Sequence, residues 1–454
     1  MNAGEQGSAL STQLVERGKV GINAAGQFIT YLLVLMTMLF SVSAHALPVF
    51  ARQTGQNCQA CHAGGQFPEL TPYGRLFKLT GYTIGKRTLP LAVMGVFGAT
   101  NIQGGVNGGA VPPGPGQTAT DGTLTFYTGS LFVAGKITDN TGLFGQFTFN
   151  SYGGDTGASG HMQSDNTDFR YANRIVNGDQ DLIYGFSLNN NPGVQDVWNS
   201  MPAWGYGVVP IAALPVGANA PIIDGGLAQQ AVGAGGYLYW NKTVYAELSG
   251  YRTGDGVFSF LTQGNGMQTS IAGTNPYLRL ALTHEWGAQN VMVGYSYFDV
   301  QQYESGSSGL TDHYRDNTVD FQYQYLLDPH TFTADITHVN ETVGYGSSGS
   351  VADTVNELRA KASYTYEAKY GAALGYFDIS NTANNVPLAN GIGFAQGGSE
   401  AWTPEVFWLP VQNVRMGVQY TMFDKVNGLT SNVDGNGTKA SDFNTVVFYV
   451  WAAY

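Results

Sequence analysis

Cys58 and Cys61 are the only cysteines of the chain, and His62 follows the second directly. Cys58-Gln59-Ala60-Cys61-His62 is the C-x-x-C-H pattern of c-type haem attachment. Two thiols three positions apart lie on one helical turn, where each can add to a vinyl group of the same haem. The adjacent imidazole then stands ready to bind the iron from the proximal side. Other uses of these residues lack support. Zinc would need two more ligands, and no other cysteine exists. A redox dithiol would want a thioredoxin-like βαβ setting, which the surrounding sequence does not offer. The pattern predicts one haem c, bound covalently through Cys58 and Cys61, with His62 as its iron ligand. A distal side chain would have to come from far along the chain: His161, His284, His313, His330, His338, or a methionine at 94, 162, 201, 267, 292, 416 or 422. An open or water-bound position is the alternative.

The elements that must position this motif fall into three parts. Residues 1–46 read as a signal peptide: Lys19 precedes an apolar stretch from Phe28 to Ser43, which ends at Ala44-His45-Ala46, an A-x-A cleavage site. Export suits haem c attachment, which takes place outside the cytoplasm. Residues 47–88 read as a monohaem cytochrome c segment, near the length below which a domain rarely folds alone. Leu70, Tyr73 and Phe77 fall at helical spacing and could cover a haem face. Arg52, Arg75, Lys78, Lys86 and Arg87 oppose Glu69 there, a net charge of +4, so residues 89–454 carry −16. A small positive segment attached to a large negative body is expected to lean on that body. Arg75 or Lys78 would pair with a haem propionate or remain solvated.

Composition limits what residues 89–454 can be. Only 11% of the chain is charged, against roughly 25% in a typical soluble domain, yet its mean hydropathy is near zero. The 62 Gly, 27 Tyr, 24 Phe and 7 Trp exclude a disordered chain. The absence of apolar runs of about 20 residues beyond residue 46 excludes a polytopic helical membrane protein. No acid–base or nucleophilic constellation stands out, and a chain at −12 is not expected to bind nucleic acid.

The period beyond residue 89 is two. Glu357, Arg359, Lys361, Ser363, Thr365 and Glu367 are expected to share one face, while Leu358, Ala360, Ala362, Tyr364 and Tyr366 share the other. Thr318, Asp320, Gln322 and Gln324 oppose Val319, Phe321, Tyr323 and Tyr325 in the same way. About sixteen such segments follow one another, near 90–102, 123–137, 141–152, 165–176, 180–190, 229–241, 243–253, 275–286, 288–301, 316–327, 330–342, 354–368, 370–381, 399–408, 412–425 and 442–454. Short and long connections alternate strictly. That is the pattern of an all-β, antiparallel outer-membrane barrel, with both termini on the short-turn, periplasmic side and lipid around the wall. A soluble propeller or solenoid would need a repeating motif, and none is present. The pairs Tyr237/Tyr239, Tyr295/Tyr297, Tyr323/Tyr325 and Tyr364/Tyr366 are expected to form interface girdles. Glu247, Asp320, Asp335, Glu357 and Glu367 are expected on the lumen face, beside Arg170, Arg279, Arg359 and Arg415. The longest connection, Asn191 to about Leu227, either folds into the pore or packs on the rim. Asp312-His313 with Asp316 reads as a loop that a hard or borderline cation could visit.

Thr54-Gly55-Gln56-Asn57-Cys58-Gln59-Ala60-Cys61-His62, followed by Phe67-Pro68-Glu69-Leu70-Thr71-Pro72-Tyr73-Gly74-Arg75 and Phe77-Lys78-Leu79-Thr80-Gly81-Tyr82-Thr83, resembles the outer-membrane iron-oxidising cytochrome–porin fusions of iron(II)-oxidising bacteria. In that family a monohaem cytochrome segment precedes a barrel of about sixteen strands. The resemblance implies thioether sites at Cys58 and Cys61 and a proximal ligand at His62. It also implies an iron(II) oxidase activity: ferrous iron as electron donor, and a periplasmic electron carrier as acceptor. The Ala63-Gly64-Gly65-Gln66 spacer departs from the family pattern. Two other readings compete: a solute porin whose haem segment is a plug, and a conduit for a donor other than iron. A haem held free in the periplasm could not reach an outside donor across an apolar band about 25 Å tall. Residues 47–88 are therefore expected to enter the lumen from the periplasmic end.

Overall fold

Side-chain alternation turns the larger part of this chain into a wall. The computed structural model describes residues 48–65, 67–103, 122–150, 162–205, 220–263, 269–347, 352–382, 398–426, 428–433 and 437–454. The expected leader at 1–46 lies outside them. Sixteen strands form a closed antiparallel barrel. They are β1 (Leu91–Ile102), β2 (Thr125–Lys136), β3 (Thr141–Asn150), β4 (Met162–Asn177), β5 (Gln180–Asn189), β6 (Ala231–Trp240), β7 (Val244–Thr253) and β8 (Asn275–Trp286), then β9 (Gln289–Tyr303), β10 (Thr311–Leu327), β11 (His330–Gly344), β12 (Ala352–Tyr366), β13 (Tyr370–Asn381), β14 (Glu400–Val411), β15 (Val414–Lys425) and β16 (Thr445–Ala453). Each pairs with its sequence neighbour, and β1 closes on β16 with Val96 opposite Trp451. Closure leaves no strand edge unpaired.

All sixteen expected segments are strands. The largest shift is at β10, which begins at Thr311 rather than 316; Thr311 pairs with Tyr303. Polar residues such as Asp312 and His313 hide a strand from a reading based on hydrophobic alternation. The short links use backbone that turns tightly: Asn241 and Lys242, between β6 and β7, both take positive φ.

The wall is polar inside and apolar outside. On β10, Asp316, Thr318, Asp320, Gln322 and Gln324 are buried, whereas Val319 between them is 52% exposed. Leu248, Ile336, Val406 and Phe448 are likewise exposed on the outer face. Such a surface suits lipid. Tyr364 and Tyr366 point outward as expected, but Tyr237 and Tyr239 are buried against the lumen contents and Leu238 and Trp240 take the outer face. A period of two shows that two tyrosines share a face but not which face it is. Glu367 also departs from expectation: it lies at positive φ in the exposed link between β12 and β13, beyond the lumen ladder.

The N-terminal residues form three short helices, α1 (Pro48–Thr54), α2 (Cys58–Cys61) and α3 (Pro72–Leu79). α3 starts where its sequence says it should. Thr71 accepts from the Gly74 N–H at 3.1 Å, and Pro72 opens the first turn. Its apolar side packs Phe77 against Phe50 and Tyr82, with ring centroids 4.9 and 5.8 Å away. That cluster continues into the inner face of β2 and β3 through Phe132 and Phe144. Burying each such ring contributes about 1.5–3 kcal/mol, which a 42-residue segment could not collect alone.

Candidate functional site

The C-x-x-C-H segment is held between α3 and the inner wall at the short-link end. Asn57 caps α2 by accepting from the Ala60 N–H at 3.2 Å, and the His62 N–H donates to the Cys58 carbonyl at 2.8 Å. The chain then doubles back. The Ala63 N–H donates to the Glu69 carbonyl and the Thr71 N–H to the Cys61 carbonyl, each at 2.9 Å. Cys58 Sγ donates to the Gln412 carbonyl at 3.4 Å, in the link between β14 and β15. Two glycines allow this fit. A Cβ on Gly74 would stand 2.1 Å from the Cys61 carbonyl oxygen, and one on Gly64, which has φ +67°, would stand 2.6 Å from Thr365 Oγ1. Gly74→Ala is therefore expected to push α2 off α3, at about 1–3 kcal/mol for overpacking. Limited proteolysis within residues 48–88 of the folded protein should speed up several-fold; an unchanged rate would show that this close approach is dispensable.

The donor set fits the haem expected from the sequence. Neither cysteine is in a disulfide. Burial raises the Cys61 thiol to about 11. Burial also lowers His62 to about 4, with the nearby Glu69 carboxylate pulling the other way, so the imidazole is neutral and keeps a lone pair for a metal. His62 Nδ1 is buried without a hydrogen-bond partner. Leu70, Tyr73 and Phe77 do not act together as a cover: Leu70 forms a β-bridge with His62, Tyr73 is half-buried, and Phe77 belongs to the Phe50–Tyr82 cluster.

Arg75 and Lys78 are buried rather than solvated, and their nitrogens donate to protein oxygens. Arg75 donates to the Leu70 carbonyl at 3.0 Å, Asn290 Oδ1 at 3.1 Å, Gln324 Oε1 at 3.2 Å and Glu285 Oε1 at 3.3 Å, which ties α3 to β8, β9 and β10. Burial lowers its pKa despite Glu285. Lys78 donates to the Val194 carbonyl at 2.8 Å and to Asn199 Oδ1 at 2.9 Å, and lies 4.2 Å over the Trp204 ring. Burial, assisted by Arg170, lowers it to about 7.

Those Lys78 partners belong to the connection after β5, which folds inward. Every residue from Asn190 to Ser200 is buried. The Asp196 carboxylate accepts from Arg279 Nε at 2.9 Å, and Arg279 also grips Asp320 through both terminal nitrogens at 2.8 and 2.9 Å. Farther along the same connection, the Ile222 N–H donates to Glu341 Oε2 at 2.6 Å and the Ile223 N–H to Asp316 Oδ2 at 3.0 Å. The loop and the N-terminal helices meet inside the barrel, and no sequence signal fixed that meeting beyond the loop's length and its two tryptophans.

A column of carboxylates lies beside them on β10–β12. Asp316 is opposite Glu341; Glu357 is opposite Val339; Asp335 is opposite both Gln322 and Lys361. Asp224, from the β5–β6 connection, joins Glu357 through Arg359. At the bottom, Lys361 donates to Glu69 at 2.8 Å, next to His62. Six residues separate Asp316 from Gln322 along β10, about 20 Å of strand. Six carboxylates share two cations, Arg359 and Lys361, and Asp316 Oδ1, Asp335 Oδ2 and Glu357 Oε2 are buried without hydrogen-bond partners. Among the described residues no three His, Cys, Asp or Glu side chains converge to hold a metal ion. The expected Asp312–His313–Asp316 cluster is split by strand alternation. Asp316 faces the lumen, whereas His313 pairs with Asp299 at 2.7 Å on the other face.

Fold and site together define a porin-like β-barrel with its lumen occupied by an N-terminal segment and an inserted loop. The solved structures to which the chain is similar include outer-membrane barrels. An anion-selective porin of Comamonas acidovorans is 11% identical, with 80% of this chain and 98% of that chain covered and a TM-score of 0.44. The outer-membrane channel DcaP of Acinetobacter baumannii is 12% identical, covers 80% and 96%, and has a TM-score of 0.45. A loop-deletion mutant of OmpT from Vibrio cholerae is 11% identical, covers 81% and 99%, and has a TM-score of 0.43. No protein-family model and no curated protein matches the chain. The barrel assignment stands on the closed strand ladder itself.

Proposed function

We propose that this chain is an outer-membrane c-type cytochrome that takes electrons from extracellular ferrous iron, through one haem held by Cys58, Cys61 and His62, to a periplasmic carrier. The observation that carries this reading is the C-x-x-C-H segment lodged against the lumen wall, with a carboxylate column leading to it from the long-loop end. Bound at that motif, haem c would supply a one-electron couple. Cys58 and Cys61 would tether it, and His62 would hold the iron. A single haem near the short-link end is far from a donor outside, so the donor has to enter the lumen. Asp316, Glu341 and Asp335 make no ion pair among the described residues, and their carboxyl oxygens suit a cation, which would displace their protons, over an anion on that path. Each ferrous ion gives up one electron, leaves as ferric iron, and the electron passes on to the carrier.

Anaerobic mixing of the oxidised protein with ferrous iron is expected to produce the ferrous haem spectrum, faster at 0.01 M than at 0.1 M ionic strength, as the Debye length falls from about 30 to about 10 Å. No spectral change at any pH the protein survives would remove iron as the donor and leave a conduit for a different one. The barrel favours a second reading, a solute porin with a haem-bearing plug. Planar-bilayer conductance of a wide porin, together with a haem indifferent to iron, would install it.

A further inference from the structure

The short-link rim beside the motif carries a basic patch with a common support. Gln53, buried on α1, donates through Nε2 to the Tyr82 carbonyl at 2.6 Å and the Ile84 carbonyl at 2.9 Å. Its own carbonyl accepts from the Lys86 N–H at 2.8 Å, and its Oε1 accepts from the Lys136 N–H at 2.9 Å. Gly85, at φ +96°, lets the chain pass so close that a Cβ would stand 2.1 Å from the Gln53 carbonyl oxygen. One buried amide thus gathers α1, residues 82–86 and the end of β2. Four cations ride on that support. Arg52 is exposed and bonds back to the Leu91 carbonyl; Arg87 is exposed and bonds to the Ile137 carbonyl; Lys86 is exposed; Lys136 pairs with Asp139 at 2.8 Å. Lys136 with Arg87 holds the Asp139 pKa below the usual carboxylate value.

This patch contrasts with the net charge of residues 89–454, which is −16 with Lys136 included. It also adjoins the exposed side of the motif. Gln56, Asn57 and Gln59 are exposed, and Cys58 follows Arg52 by six residues, at most about 20 Å of chain. On the far side of the motif, Ala368 lies 3.5 Å from where a Cβ on Gly65 would stand, and the neighbouring Glu367 and Lys369 cancel in charge.

We infer that Arg52, Lys86, Arg87 and Lys136 form the docking surface for the electron acceptor, a soluble redox protein with an acidic contact face. The inference rests on the haem reading above and adds where the electron leaves and what charge the acceptor presents. On docking, one electron passes from reduced haem to the acceptor, with no bond made or broken. Long-range attraction between such faces raises association rates by about 10–10³ at low salt.

The test uses the full-length, haem-loaded protein in detergent, reduced and then mixed with an anionic oxidant, ferricyanide, or a cationic one, tris(phenanthroline)cobalt(III). Ferricyanide is expected to oxidise the wild type about ten-fold more slowly at 0.5 M than at 0.01 M salt. The Arg52→Glu/Lys86→Glu/Arg87→Glu variant should lose a similar factor at low salt and gain toward the cobalt complex. Lys86→Glu alone, at an exposed side chain, should move both rates the same way by about two-fold and guards against misfolding of the triple variant. Unchanged rates with both oxidants in a haem-loaded variant overturn the surface while leaving the haem reading intact. A variant that loses binding to anionic phospholipid vesicles while keeping its ferricyanide rate assigns the patch to the membrane and overturns it as well. A wild-type chain with no covalent haem overturns the functional reading, and this inference with it.

Discussion

Cys58→Ala/Cys61→Ala is expected to abolish covalent haem and leave the barrel folded. Both cysteines of the chain are removed, so no thioether can form. The barrel is closed by sixteen strand pairings to which α2 adds none, so heat-modifiable migration of the folded barrel should persist. The haem-peroxidase stain of a denaturing gel should drop to background. Either single variant should retain partial, weaker attachment, and His62→Ala should keep the tethers but shift the Soret band. A double variant with full covalent haem and an unaltered spectrum would refute the assignment of this motif.

The second large effect is expected at Arg279. Its guanidinium has no exposure and satisfies Asp196 on the inserted loop and Asp320 on β10 together, with Ser200 Oγ at 3.3 Å. Burial raises the Asp196 carboxyl, but Arg279 and Lys78 outweigh it and hold its pKa low. Arg279→Ala leaves buried Asp320 without a cation and Asp196 with Lys78 alone, a loss of about 3–5 kcal/mol. The least costly response is for residues 190–200 to swing toward water and carry Asp196 with them. Single-channel conductance in planar bilayers should rise several-fold toward that of an unobstructed porin. Arg279→Lys should fall between, because a lysine cannot reproduce the two-pronged grip on Asp320. An Arg279→Ala protein with wild-type conductance and thermal stability would show that this ion pair does not hold the loop in the lumen.

How far the chain could be read depended on the type of interaction. Strands were legible because each needs only local alternation, as at 318–325 and 357–366, and because seven tight links recur between long ones. Faces were less so. Tyr237/Tyr239 and Tyr364/Tyr366 have the same spacing, yet the first pair meets α3, with Tyr237 Oη donating to the Leu79 carbonyl at 2.7 Å, and the second pair meets the outside. A period is symmetric between the two sides of a sheet, so only the contents of the lumen break the tie. The fates of Arg75 and Lys78 were hidden because, apart from the Leu70 carbonyl, their partners lie more than 100 residues away.

By itself the sequence determined the number and order of the strands and the all-β architecture, since each depends on residues adjacent in the chain, and it alone carries the C-x-x-C-H pattern on which the proposed function rests. The tertiary structure alone decided what fills the barrel. The 190–200 loop lies inward because Asp196 finds Arg279, and α3 is seated because Arg75 and Lys78 find buried oxygens on the wall and on the loop. The carboxylates at 69, 224, 316, 335, 341 and 357 become one column only when neighbouring strands fall into register and the two insertions arrive beside them. Charges buried in a shared, water-poor space must be matched across the whole fold, and no local pattern encodes a match between residues so far apart.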